Sequence, residues 1–289
     1  MDAHMSAFDP DALAELVTRK TRAAGSSFYW AMRLLEPKRR LAMYAIYAFC
    51  RDVDDIVDEP GREEDKERRL DLWEEDIRAL YAGAQPSQPL AAALRPAILS
   101  YTLPIADFIA VIDGCRMDLG EGQVRPTLMN LDLYCDRVAS AVGRLSVRVF
   151  GDFTPECLTL ANHQGRALQL TNILRDVVVD AGIGRLYLPD ELLCKHGIVS
   201  VEIADILSHP NLPAACAELA DLAGQHFRLA REALTHCSKR AVKPAVVMME
   251  MYWQIFLRCK GFGWQPQAEP VKLPKLTKFW CAFRYGVLA

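Results

Sequence analysis

Apolar residues recur at three- and four-residue intervals along nearly the whole of this chain, and that period restricts it to helical folds. The pattern predicts long helices that bury one or more of their faces. No convincing run of alternating β-branched residues is found, and no Asn-Gly or Asp-Gly hairpin signal separates such runs, so no sheet is expected. The period is clearest in residues 41–57, 70–81, 131–150, 157–179, 212–234 and 242–257.

The breaks between these segments are too short to separate domains. Residues 83–89 and 261–274 are typical of surface loops, and a short C-terminal helix is expected after the second. The chain has 289 residues, of which 51% are hydrophobic, which is enough for a sizeable core. We therefore predict one domain over 1–289, with 1–20 and 265–289 as peripheral segments.

Composition excludes several classes of function. The formal net charge is −3, and acids and bases are mixed along the chain, so no nucleic-acid partner is expected. Nine cysteines are scattered singly without a Cys-x-x-Cys pair, which argues against a disulfide framework and a zinc site. Neither a signal-peptide pattern nor a stretch able to span a bilayer is found, and these features together predict a cytoplasmic protein.

A first stripe of charged residues lies within an apolar helical segment. Tyr47, Arg51, Asp54 and Asp58 are spaced by four, three and four residues, which places them on one helix face. The preceding residues 41–46 are almost entirely apolar. A helix that is apolar nearly all round is a buried helix, so these acids are expected in the interior.

A second stripe repeats the first in weaker form. Gln169, Asn172, Asp176 and Asp180 share one face of a later apolar segment, and Arg175 stands beside them. Two acidic stripes on two buried helices are predicted to face each other.

Such stripes require cations. A buried ionised carboxylate costs several kcal/mol unless it is paired. The available ligands are carboxylate and amide oxygens, a set that favours magnesium completed by water and substrate phosphates. The adjacent Arg51, Arg175 and Arg185 either neutralise the acids or grip phosphate oxygens with their forked guanidinium groups. The pattern predicts a diphosphate held by magnesium at the mouth of an apolar pocket.

Simpler interpretations fit the acidic stripes less well than a magnesium–diphosphate site does. A single Asp-x-x-x-Asp is an ordinary solvated helix face at odds of roughly five to one. Here two such pairs lie on long apolar helices, each with an arginine close by, and this recurrence reverses the odds in favour of a metal site. A di-iron bundle would need Glu-x-x-His pairs, which are absent. Neither phosphate-binding nor dinucleotide-binding glycine motifs are present.

Four segments in succession resemble the signatures of the squalene/phytoene synthase family. They are SSFY (26–29), YAIYAFCRDVDDIVDE (44–59), YCDRVASAVG (134–143) and QLTNILRDVVVDAGIGRLYLP (169–189). The similarity runs from about residue 25 to 264. It implies an all-α, single-domain isoprenoid-synthase bundle around a central apolar cavity.

The resemblance also assigns site residues. Magnesium–diphosphate binding, and through it catalysis, is implied for Asp54, Asp58, Asp176, Asp180 and Asn172. Diphosphate contacts are implied for Ser27, Tyr47, Arg51, Arg175, Arg185 and Tyr187. Cavity walls are implied for Phe28, Tyr134, Val138, Ala139, Gly143, Gly165 and Gln169. For the two glycines, close helix packing is the alternative.

Within the family, residues 131–151 and 165–177 are most similar to the hopanoid-pathway branch. This implies magnesium-dependent, head-to-head condensation of two farnesyl diphosphates to presqualene diphosphate, without NADPH. One diphosphate leaves, the allylic cation is attacked by the C2–C3 double bond of the second chain, and proton loss closes a cyclopropane. The base is either the released diphosphate or Tyr134.

Several alternatives stay open. Phytoene or diapophytoene synthesis and full NADPH-dependent squalene synthesis are the nearest, so C15 and C20 substrates are both considered. A non-catalytic helical assembly factor is the alternative from another class, and the intact carboxylates disfavour it.

Three places depart from the family pattern: Gly25, Val179 and residues 269–271, the last of which lack an arginine. The basic, aromatic tail 272–285 suits either peripheral membrane contact or docking on the protein's own surface. No oligomeric state is predicted.

Overall fold

The chain folds almost entirely into helices. The computed structural model describes residues 8–24, 27–120 and 124–288, and this part holds fifteen α-helices, two π-helical turns and no strand. The α-helices are α1 (Pro10–Ala23), α2 (Ser27–Met32), α3 (Pro37–Asp58), α4 (Glu63–Tyr81), α5 (Pro89–Ala92), α6 (Arg95–Tyr101), α7 (Ile105–Arg116), α8 (Leu128–Cys135), α9 (Ala141–Phe150), α10 (Pro155–Gly182), α11 (Asp190–Lys195), α12 (Ile203–Ser208), α13 (Leu212–Leu234), α14 (Lys243–Gly261) and α15 (Lys275–Phe283). The π turns span Asp136–Ser140 and Arg284–Leu288. The predicted all-α class is confirmed.

The long predicted helices form where the hydrophobic period is strongest. Pro37 and Pro155 occupy first-turn positions of α3 and α10, where a missing backbone N–H costs nothing. Thr154 caps α10, since its hydroxyl accepts a hydrogen bond from the Cys157 N–H at 3.4 Å. The α8–α9 segment is a single helical run that is widened in its middle by the first π turn.

Helix α10 lies at the centre of the bundle and packs against α9, α13 and α14. Its buried side chains point in all directions around the helix, as its nearly continuous apolar sequence predicts. Helix α3 is buried along Ile46, Phe49 and Val53. The Phe49 ring packs edge-on against Trp73 at 5.1 Å and Phe108 at 5.3 Å between centroids. The two acidic helices are thus fixed by the hydrophobic core.

All nine cysteines are free, and most of them are buried. No helix in the described residues is long and apolar enough to cross a membrane. The loops predicted at 83–89 and 261–274 are present, apart from the residues at their ends that belong to helices, and α15 is the predicted C-terminal helix. The single-domain assignment stays a prediction.

Candidate active site

The first acidic stripe lies along the last two turns of α3. Arg51 donates to the Asp54 carboxylate at 3.1 Å and pairs with Asp55 at 2.6 Å. Asp52 points to the other side of the helix, where it pairs with Lys20 and accepts a hydrogen bond from the Trp73 indole. Only part of the acidic run therefore faces the site.

The second stripe occupies the last third of α10. The Arg175 guanidinium grips its neighbour Asp176 through two hydrogen bonds, at 2.8 and 2.5 Å. Asp180 lies one turn further along and is half-buried. Helix packing turns this stripe towards the first, so that burial, the neighbouring Asp176 charge and the Asp58 charge of the first stripe all raise the pKa of the Asp180 carboxyl.

Arg185 links the two stripes. It follows α10, donates to the Asp58 carboxylate at 2.5 Å, and donates to the Val57 carbonyl at 3.1 Å. Its segment is held by a parallel β-bridge between Val124 and Leu186. This bridge aligns Arg185 and the next residue but one, Tyr187, along the site.

Asp118 is a site residue that sequence reasoning missed. It lies just beyond the end of α7, and its two oxygens accept hydrogen bonds from the Tyr187 hydroxyl at 2.8 Å and the Tyr134 hydroxyl at 3.1 Å. The two tyrosine rings stack with centroids 5.0 Å apart. A lone aspartate after a helix has no pattern to mark it, so only the packing of α7 beside the two stripes reveals its place.

The electrostatics of this group are unfavourable in the absence of a cation. Burial and the Asp58 charge raise the pKa of Asp54 to about 7, although 48% of the accessible surface of its side chain remains exposed. Burial and the Asp176 charge raise the pKa of Asp180 to about 7. Burial likewise raises the pKa of Asp118 to about 6, against the opposing influence of Arg185. Three carboxyls therefore share one poorly compensated environment.

Asn172 carries an incomplete set of hydrogen bonds. Its amide nitrogen donates to the Gln169 side chain at 3.3 Å, while its Oδ1 is buried and has no hydrogen-bond partner among the described residues. A buried acceptor without a partner costs about 1–3 kcal/mol, and native sites retain such atoms where a ligand completes them. Oδ1 is thus a candidate ligand atom.

Tyr252 is a second residue that the sequence did not reveal. It comes from α14, is buried, and interacts with the side chains of Asn172 and Arg175. Burial raises the pKa of its hydroxyl, so the group stays neutral. The Phe28 ring, from α2, lies 6.2 Å from the Tyr252 ring and 6.1 Å from that of Tyr47. These aromatic rings form an apolar wall beside the charged groups.

The remaining predicted wall residues lie on the first π turn and on glycines that pack near it. Val138 and Ala139 belong to that turn. A Cβ on Gly165 would stand 2.6 Å from the Ser140 backbone, and one on Gly143 would stand 3.0 Å from a backbone oxygen of α10. Close packing is therefore a sufficient reason for both glycines, and their role as cavity walls stays a prediction. The side chain of Ser27 lies outside the described part of the chain.

The donor set fits magnesium as completed by a substrate. Four aspartates and the Asn172 amide offer oxygens only, which is the preference of a hard cation. No three acidic, histidine or cysteine side chains within the described ranges come together as a complete metal site. Ligands from water and substrate phosphates would fill the remaining positions, as is usual for magnesium.

Comparisons with known proteins show the family to which the chain is similar. The family model described as squalene/phytoene synthase matches residues 21–277. A presqualene diphosphate synthase from Rhodopseudomonas palustris is 44% identical over 92% of this chain and 95% of its own length. One from Zymomonas mobilis is 44% identical over 99% of both chains. The crystal structure of a squalene synthase from Alicyclobacillus acidocaldarius superposes with a TM-score of 0.81 at 27% identity, covering 89% of this chain and 97% of that one.

Proposed function

Because the chain belongs to the squalene/phytoene synthase family, we propose that it is a prenyltransferase that condenses two farnesyl diphosphates head-to-head to presqualene diphosphate and diphosphate. The observation that carries the proposal is the convergence of the two acidic stripes, with Arg185 between them and an apolar wall beside them. A highly charged leaving group and a hydrocarbon chain need these two surfaces side by side.

Magnesium is part of the proposal. Asp54, Asp58, Asp176 and Asp180, with Asn172 Oδ1, would hold it; when bound, it draws negative charge from the departing diphosphate. The raised pKa values of Asp54 and Asp180 support this assignment, since a cation would offset both the burial and the carboxylate repulsion that raise them.

The arginines supply the rest of the diphosphate site. Arg51, Arg175 and Arg185 each pair with an aspartate, and each keeps N–H groups that suit phosphate oxygens. Tyr47 lies on α3 one turn before Arg51, and Tyr187 lies two residues after Arg185, which favours a role for both tyrosines in positioning the diphosphates. Ser27 is included on the family pattern alone.

The hydrocarbon part of the site orients the chains and excludes water. Phe28, Tyr134, Val138 and Ala139 are assigned to its walls, with Gln169 and the two glycines of the family pattern. The allylic cation must meet the C2–C3 double bond of the second chain before water does, so an apolar lining is required.

The final proton transfer has two candidate acceptors. The released diphosphate is one. The other is a relay in which the Tyr134 oxygen takes the substrate proton while its own proton passes to Asp118, 3.1 Å away. Burial keeps the Tyr134 hydroxyl protonated by raising its pKa, and the raised pKa of Asp118 makes that carboxylate a better proton acceptor.

The decisive experiment is a product assay with purified protein, farnesyl diphosphate and Mg²⁺, with and without NADPH, read by mass spectrometry. Presqualene diphosphate in both samples is the expected result, and chelation with EDTA should abolish it. Squalene formed only with NADPH, or a C30 or C40 polyene, would assign the chain to another branch of the family. A parallel sample with geranylgeranyl diphosphate tests chain length, and no consumption of either substrate would contradict the proposal. We place the protein in the cytoplasm, at the inner face of the membrane.

A further inference from the structure

Helix α15 exposes its largest apolar side chains. Leu276, Phe279, Trp280 and Phe283 are 82%, 57%, 54% and 38% exposed. Their spacing of three, four and seven residues from the first puts them on one helix face. The Phe279 and Phe283 rings stack with centroids 6.3 Å apart, so the face is a continuous apolar stripe. We call these four residues the α15 stripe.

Small residues hold the opposite face of α15 against the protein. Cys281 and Ala282 are buried, as is Leu273 just before the helix. A helix that docks only on its own protein would turn its phenylalanines and tryptophan inward, because burying each large apolar side chain is worth about 1.5–3 kcal/mol. Here the arrangement is reversed, which shows that the outer face is the one available to a partner.

The charged residues around the α15 stripe indicate the chemistry of its partner. After Glu269 the sequence contains Lys272, Lys275, Lys278 and Arg284 and no acidic residue, in a chain whose net charge is −3. Lys272 and Arg284 are exposed, and Lys278 is half-buried. Exposed aromatics flanked by bases are the composition of helices that lie in the interface of an anionic bilayer.

The location of α15 connects it to the site. It packs on α2 and α14, the two helices that supply Phe28 and Tyr252 to the apolar wall. A surface that dips into a membrane at α15 therefore lies directly behind the part of the site that receives hydrocarbon.

We propose that the α15 stripe docks the protein on anionic lipid bilayers, with Lys272, Lys278 and Arg284 at the headgroups. Its use in passing hydrocarbon between site and membrane rests on the proposed function; the docking itself does not. A second copy of the chain fits less well, since a two-fold interface through α15 would bring these bases against their own copies.

The test is flotation of the purified full chain with vesicles, in the absence of substrate. One set of vesicles contains 30% phosphatidylglycerol in phosphatidylcholine, and the other contains phosphatidylcholine alone. We expect binding to the anionic set that weakens with salt. Phe279→Ser with Trp280→Ser should weaken binding by at least about thirtyfold, because two aromatic anchors are lost. Neutralising Lys272, Lys278 and Arg284 to glutamine should weaken it by about fivefold for each charge removed.

Leu99→Ser is the matched control, because Leu99 is 74% exposed on α6 and should leave vesicle binding unchanged. Circular dichroism checks that each variant is folded, and turnover in detergent reports the enzyme separately. Equal binding by the wild type and the Phe279/Trp280 variant would overturn the proposal. So would a wild-type dimer that these substitutions disperse while no form of the protein binds vesicles.

Discussion

Two clusters of aspartate and arginine, each with members on α10, differ in how completely their charges are paired. The site cluster contains Asp54, Asp58, Asp118, Asp176, Asp180, Arg51, Arg175 and Arg185. The structural cluster contains Asp107, Asp132, Asp136, Arg144 and Arg166.

In the structural cluster every carboxylate accepts hydrogen bonds from an arginine. Arg144 reaches Asp107 at 2.7 Å and Asp136 at 3.0 Å, and Arg166 grips Asp132 at 2.6 and 2.9 Å. The Arg166 hydrogen bonds lower the pKa of Asp132. These residues tie α7, α8, the first π turn and α10 together, so their contribution is structural.

In the site cluster Asp118 and Asp180 accept no hydrogen bond from an arginine among the described residues, and the pKa values of Asp54, Asp118 and Asp180 are raised to about 6 or 7. In the structural cluster burial raises the pKa of Asp107 as well, but the Arg144 hydrogen bond opposes that shift. The same residue types thus serve opposite purposes. A cluster whose charges are paired stabilises the fold. A cluster with unpaired carboxylates instead favours the binding of cations and of the ligand that carries them.

The largest expected effect is on turnover. Asp176→Ala should lower kcat by at least about a thousandfold, because the leaving diphosphate loses part of its electrostatic support. Circular dichroism should remain helical. Asp221→Ala, an exposed change on α13, is the control and should retain full activity. Loss of less than tenfold at Asp176 would break the distinction between the two clusters.

The second effect is on stability. Arg144→Met leaves Asp107, a buried carboxylate, without its partner and should reduce the free energy of unfolding by about 3–5 kcal/mol in urea titrations. Arg228→Met removes an exposed pair with Glu232 and should cost less than about 1 kcal/mol. Similar losses for both variants would mean that the structural cluster contributes no more than a surface pair.

A third change tests the proton relay. Asp118→Asn keeps the shape of the side chain but removes the proton acceptor, so kcat should fall about ten- to a hundredfold with little change in KM. Asp113→Asn, on α7 and paired with Arg116, should not affect kcat. An unchanged kcat for Asp118→Asn would assign the base to the released diphosphate.

A fourth change, at Asp180, is expected to stabilise the protein, whereas most substitutions destabilise it. The pKa of Asp180 rises from 3.8 to about 7 on folding, so its ionisation opposes folding as pH increases through that window. Without magnesium, Asp180→Asn should stabilise the protein at pH 8 by about 1–2 kcal/mol, the value being reduced by solvent screening. Urea titrations at pH 8 and pH 4 should show the gain at pH 8 only, and destabilisation at pH 8 would contradict the account of the site cluster.

The smallest effect concerns a histidine pair beside the structural cluster. His163 and His226 place their Nδ1 atoms 3.0 Å apart, and burial, His163 and Arg166 lower the pKa of His226 to about 4. The unfolded chain then binds more protons between pH 6.5 and 4, so stability should fall by about 1 kcal/mol as pH decreases through this window. His226→Gln should flatten the dependence of stability on pH. An unchanged dependence would show that the Asp132 carboxylate already compensates the charge of the proton that His226 binds.

The sequence by itself determined the helices and the contents of each stripe. Helical period and i, i+4 spacing are local properties, so α3 and α10 and the faces of Asp54, Asp58, Asp176 and Asp180 follow from residue order alone. The family resemblance then supplied Arg185, Tyr134 and Tyr187, whose separation in the chain hides their proximity.

Only the tertiary structure decided which acids are satisfied. Asp132 and Asp136 form a third Asp-x-x-x-Asp pair with Arg137 next to it, by spacing the equal of the two site stripes. Their neutralising partners, Arg144 and Arg166, are brought by the folding of α9 and α10, and Asp118 and Tyr252 reach the site in the same way from α7 and α14. The fate of a buried charge depends on what packs against it, and packing between distant helices is not encoded in the spacing of any one of them.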